Sequence, residues 1–245
     1  MIADIPLDEY QIALDRCASD ILWEAAIDAP PVNCFELAKR IGINIARDEN
    51  LSGRARFVRL RGGRETIFLG NEDRRERRHW SVAHEVGESL SHRVFGMLGI
   101  SPPDLPPASR EVIANELASR LLLPRRWFQS VCQECDNDLE ELKTVFSTAS
   151  YELISRRLLD YDSHHLTITL FDQGGITWRR TNEGSVGAPH PVEWQCQRQA
   201  HLRNEPTWAG TDLLIDSGLL RVRCWPIHEL GWRREIVITE PELTW

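Results

Sequence analysis

The chain has 245 residues, 42% hydrophobic and 27% charged, with a formal net charge of -8. That is ordinary globular composition, long enough for one large or two small domains. The acidic balance argues against non-specific nucleic-acid binding. No run of apolar residues reaches membrane-spanning length. The first residues show neither the basic flank nor the apolar core of a secretion signal. A cytoplasmic protein with reduced thiols at Cys17, Cys34, Cys132, Cys135, Cys196 and Cys224 is therefore expected, without membrane contact. The Cys132-x-x-Cys135 pair lacks a second pair at a zinc-site distance and is expected to be chance spacing.

In chain order, residues 8–27 predict a helix with Tyr10, Leu14, Cys17 and Ile21 on its apolar stripe and Asp8 as its cap. A short helix over Cys34–Ile41 stops near Gly42 and leads into a strand over Ile43–Ala46. Residues 53–70 alternate about Gly62-Gly63, as a hairpin does. The basic run Arg74–His79 is expected to be a solvated helix face.

The stretch Trp80–His92 then reads as a helix. His84 and Glu88, four apart, share one face about 6 Å from each other along the axis, within reach of a single ion. Glu85 lies beside them. His-Glu-x-x-His zinc hydrolases use this arrangement, with the glutamate as general base toward the attacking water. Here Glu88 stands where the second histidine would be, and His92, about 12 Å along the axis from His84, cannot replace it.

A proline-rich loop, residues 101–109, separates this helix from a second, with Ser109 as a possible cap. The second helix carries Glu111, Asn115, Ala118 and Leu122 on one stripe. Glu111 is the best third ligand, and Asn115, a turn on, could orient a ligand by hydrogen bonding. Ala114, Ala118 and Gly87 are small enough for a close helix crossing.

Taken together, Ala83-His84-Glu85-Val86-Gly87-Glu88, Glu111-x-x-Ala114-Asn115-x-x-Ala118 and Leu121-Leu122-Leu123-Pro124 resemble the signature of the ImmA/IrrE metalloproteases, over roughly residues 10–160. The strand Thr66-Ile67-Phe68-Leu69 looks like the family's strand before the metal helix and is expected to bind substrate by strand addition. The resemblance implies a zincin-like α+β domain at 1–160. It also implies Zn2+-dependent cleavage of a regulatory protein, such as a DNA-binding transcriptional repressor, in stress response or mobile-element control. His84, Glu88 and Glu111 would be the ligands and Glu85 the base. The departure at Glu88 makes the site harder and more anionic, which brings Mn2+ or Fe2+ into range and should acidify water less. Two readings stay open: a metallo-endopeptidase, or a weakened or inactive protease-like module that binds a regulatory protein.

Residues 139–159 have a helix–turn–helix pattern without a basic recognition face, so direct DNA binding is not expected. Residues 161–245 lie beyond the resemblance and predict a small α+β domain. Its strands are Leu166–Phe171, Ile176–Arg180, Leu219–Trp225 and Glu235–Thr239, with a helix over 191–203. Six of the nine tryptophans lie here, and core packing is expected of them. His164, His165, His190, His201 and His228 show no ligand spacing among themselves and are read as surface or core side chains.

Overall fold

A computed structural model describes residues 5–100, 107–161, 165–215 and 217–242. The fold is mixed α+β, in two compact units that divide at Ser150/Tyr151.

In the first unit, α1 (Leu7–Glu24) buries Tyr10, Leu14, Cys17 and Ile21 as the periodicity predicts. It starts at Pro6 rather than Asp8, and Asp8 and Glu9 instead sit in the first turn, where they meet the positive end of the helix dipole. It stops short of residue 27 because Ala26 turns left-handed (φ 50°) and Ile27 N–H donates to Leu22 O. The second helix, α2 (Cys34–Arg40), is capped by the Asn33 side chain, which accepts from Phe35 and Glu36 N–H. Gly42, at φ 86°, closes it.

Three short strands follow: β1 (Asn44–Arg47), β2 (Ala55–Arg59) and β3 (Glu65–Leu69). β2 and β3 form the expected hairpin about Gly62 and Gly63, both at positive φ. β1 joins the other side of β3 in parallel, so the order is β1-β3-β2. The strand expected to bind substrate is thus central and paired on both sides.

The long helix α3 (Arg75–Met97) follows, then α4 (Pro107–Leu122), α5 (Arg125–Glu134) and α6 (Leu139–Val145). Ser109 lies inside α4, not at its cap, and the rest of the proline-rich stretch falls outside the described residues up to 106. Pro124 is the N-cap of α5. Fully buried Arg120 of α4 reaches Asp15 and Gln11 of α1 and Glu116 of its own helix, so its charge is met by carboxylates.

Within the basic run, His79 is not solvated. It is buried, accepts the Cys34 N–H at Nδ1 (3.3 Å) and stands edge-on to Phe35. Burial, with Arg75 and Arg78 nearby, lowers its pKa from 6.5 to about 4. The unfolded chain takes up this proton near pH 6.5 and the folded chain only near 4. The stability contributed by the neutral ring is therefore complete above pH 6.5 and is lost as pH falls toward 4. The loss is bounded at about 3 kcal/mol. Urea midpoints measured across this range should fall with pH in the wild type and fall less in His79→Gln. Equal slopes in the two proteins would rule the effect out.

The second unit holds α7 (Tyr151–Leu158), β4 (Thr167–Asp172), β5 (Gly175–Thr181), α8 (Pro191–Arg203), β6 (Thr207–Trp208), α9 (Thr211–Leu214), β7 (Leu219–Glu229) and β8 (Trp232–Pro241). The sequence placed the boundary at 160, but α7 is held here: Arg234 of β8 bonds both Glu152 of α7 and Asp172 of β4, at 2.8 Å and 2.6 Å. The two helices of the helix–turn–helix pattern therefore fall in different units. The strands form an antiparallel sheet in the order β5-β4-β8-β7-β6. Phe171, Val222, Cys224 and Val237 pack against Val192, Cys196 and Ala200 of α8. Each valine or phenylalanine so buried contributes about 1.5–3 kcal/mol. Trp225 is buried and Trp194 stands against Phe171, whereas Trp208 and Trp232 are largely exposed, so the tryptophans divide between core and surface. His164 and Trp245 lie outside the described residues. No described helix is long and apolar enough to cross a membrane.

Candidate metal centre

Two helices carry the site because each buries one face and presents another. α3 buries Val82, Ala83, Val86 and Gly87; α4 buries Ile113, Ala114, Leu117 and Ala118. They cross where Gly87 meets Ala114: a Cβ built on Gly87 would stand 2.7 Å from Ala114 O. This is the close approach that the small residues predicted. It brings His84 of α3 onto Glu111 and Asn115 of α4.

His84 Nδ1 is 3.0 Å from Asn115 Oδ1, Asn115 Nδ2 donates to Glu111 Oε1 (3.2 Å), and His84 Nε2 is 3.6 Å from Glu111 Oε2. The proton positions follow from the chemistry. The carboxylate of Glu111 only accepts, so the asparagine amide must face it and Oδ1 must face the imidazole. The proton of neutral His84 then sits on Nδ1, and the Nε2 lone pair points toward Glu111. An imidazole that binds a metal through Nε2 needs that tautomer.

Glu85 and Glu88 stand beside His84: one ligand atom from each of the three lies within 4.8 Å of the others. Glu88 is exposed and Glu85 is buried. Glu85 Oε2 accepts the backbone N–H of Phe57 in β2 at 2.7 Å. Burial raises the Glu85 pKa, the Phe57 hydrogen bond opposes this, and Glu88 and Glu111 add to it. Among the described residues, none of Glu85, Glu88 and Glu111 is paired with an arginine or lysine. Three carboxylates about one imidazole with its lone pair free make a donor set fit for a divalent cation.

The strand expected to bind substrate has no free edge for strand addition. Thr66, Ile67, Phe68 and Leu69 lie in β3, whose hydrogen-bonding edges are both occupied, and Ile67 and Leu69 are core. β2 has the free edge next to the helix, and the Phe57 N–H that points away from β3 meets Glu85. Nothing in residues 55–59 distinguishes an edge strand from a central one. The sign available was the hairpin, which left β1 free to pair on either side.

Residues 38–159 match the family model described as Peptidase_M78, IrrE N-terminal-like domain. The chain belongs to this family. The match makes this a metallopeptidase-type domain, and it contains every residue of the site just described. Among solved structures, 11 chains match. One, a Mycobacterium tuberculosis transcriptional regulator, is 15% identical with a TM-score of 0.65, over 96% of this chain and 81% of that one. At that identity the likeness is one of fold. No curated protein matches.

Asn115→Ala should weaken metal binding at this Peptidase_M78 site by about 10–100-fold, because it frees the His84 ring and removes the donor to Glu111. Chelator competition measures it. An unchanged dissociation constant would show that Asn115 does not position the ligands.

Proposed function

We propose that the α3–α4 site is the metal centre of an endopeptidase that cleaves a regulatory protein. The observation that carries this reading is the His84–Asn115–Glu111 chain, which leaves the His84 Nε2 lone pair among the carboxylates of Glu85, Glu88 and Glu111, with no competing cation among the described residues. His84, Glu88 and Glu111 would hold Zn2+, with Mn2+ or Fe2+ admitted by the carboxylate-rich set. The ion would supply Lewis-acid polarisation at the scissile carbonyl.

The residues of the chain do the rest. Glu85 takes a proton from the attacking water as the new C–O bond forms. It returns the proton to the amine as the C–N bond breaks. β2, rather than β3, supplies the strand edge along which an extended substrate segment would lie, since its outward backbone groups border Glu85. The occupant would be an extended segment of a protein, in keeping with a cytoplasmic transcriptional repressor as substrate.

Elemental analysis of the purified full chain tests the site: His84→Ala and Glu111→Ala should each hold one metal ion fewer than the wild type. Glu88→His should raise zinc affinity, since it restores a second imidazole, and raise cleavage with it. A partner captured by the Glu85→Gln protein should be cut by the metal-loaded wild type. Equal metal content in all variants would end the reading. Metal bound with the captured partner left intact would favour a module that binds without cutting.

A further inference from the structure

The sheet of the second unit is crossed by a line of buried polar side chains. Along α8, Glu193, Gln197 and His201 recur every four residues and so face the sheet on one stripe. Along β8, Thr239 and Glu235 share a face. Thr239 donates to Glu193 (2.6 Å), and Gln197 Nε2 donates to Glu235 Oε2 (2.9 Å). At the end of this line two imidazoles converge on the other oxygen of Glu235. His201 Nδ1 and His228 Nε2 each lie 2.7 Å from Oε1. His228 belongs to β7, opposite Arg233 and therefore diagonal to Glu235 across the hairpin. One helix and two strands thus meet at a single oxygen atom.

Glu235 is fully buried, and its ionic partners are these two histidines alone among the described residues. Taking a carboxylate out of water without an arginine or lysine against it costs several kcal/mol. Two imidazole nitrogens and one carboxylate oxygen, all within 4.8 Å of one another, are a ligand set for a divalent transition metal. Such an ion takes N and O donors at about 2.0–2.2 Å, so donors at neighbouring positions stand about 3.0–3.4 Å apart. The N···O separations of 2.7 Å would need to open by about 0.3–0.7 Å. The protons balance as well. A carboxylate oxygen only accepts, so each ring holds a hydrogen on the nitrogen facing Glu235; a metal-bound ring would hold its hydrogen on the other nitrogen instead. Arg233, whose Nη1 lies 3.4 Å from His201 Nε2, is exposed and can turn into solvent. The His201 side chain is 26% exposed, which leaves that side of the site open to water.

We propose that His201, His228 and Glu235 bind one divalent transition-metal ion, zinc or ferrous iron, in the second unit. Gln197 is the positioning residue that holds the second oxygen of Glu235. This site stands whether or not the α3–α4 site is catalytic.

The test uses the full chain carrying His84→Ala and Glu111→Ala, which removes the first site. Cobalt(II) is titrated in and its visible d–d absorption followed, with zinc as competitor and circular dichroism as the check of fold. One equivalent of cobalt should bind and be displaced by zinc. Adding His201→Asn, a partly exposed position, should weaken binding by at least about 100-fold, more than loss of an orienting partner does. No cobalt spectrum in the folded protein, or binding unaffected by both His201→Asn and His228→Asn, overturns the proposal. Should the double variant fail to fold, metal content decides instead. His201→Asn alone must then hold one ion fewer than the wild type, and an equal count overturns the proposal.

Discussion

Glu85→Gln is expected to reduce cleavage by about 10²–10⁴-fold, the usual contribution of a positioned general base, while metal content and thermal midpoint stay near wild type. The stability part of this expectation comes from Phe57. Its backbone N–H donates to Glu85 Oε2 at 2.7 Å, and a glutamine carbonyl in the same place can still accept it. Glu85→Ala is different. It leaves that N–H without its acceptor and should cost a further 1–3 kcal/mol or so of stability. The pair of variants separates the proton-transfer role from the anchoring of β2. Cleavage at the wild-type rate in Glu85→Gln would exclude Glu85 as the base. Equal stability of the two variants would show that water replaces the Phe57 contact at no cost.

Gly87→Ala should damage the same site without touching a ligand. The new Cβ would stand 2.7 Å from Ala114 O and 3.4 Å from Ala114 Cα. Both are backbone atoms, so no rotamer change relieves the clash and the two helices must move apart. Overpacking of this kind costs about 1–3 kcal/mol. It also draws His84 away from Asn115 and Glu111, so metal binding at this site should fall with stability. Gly96→Ala is the control in the same helix. Nothing lies within 4 Å of a Cβ there, and its backbone is not left-handed. It should leave metal binding unchanged and be neutral or stabilising by up to about 1 kcal/mol. A Gly87→Ala protein with normal metal affinity would mean that the crossing is looser than the contact distance states.

Much of the first site is legible in the sequence, for a definite reason. His84, Glu85 and Glu88 stand on one helix and Glu111 and Asn115 on another, and the helical repeat assigns side chains four apart to a common face. The small residues Gly87 and Ala114 then indicate where two such faces can meet. The apolar stripe of α1 is legible in the same way. Helix ends are less so, because they depend on single residues such as Ala26 adopting left-handed backbone.

What the sequence could not supply was the pairing of distant segments. A hairpin identifies its own two strands but not the third, and β1 took the outer side of β3, which turned the expected substrate strand into a buried one. The bond from Phe57 to Glu85 joins strand to helix across 28 residues. His201, His228 and Glu235 have no spacing in common, because one comes from a helix and two from diagonal positions of a hairpin. By itself, then, the sequence determined which residues share a helix face. The tertiary structure alone decided which strand keeps a free edge and which isolated histidines meet a buried carboxylate. Helical periodicity is local, whereas strand order and register are set by burial summed over the whole unit.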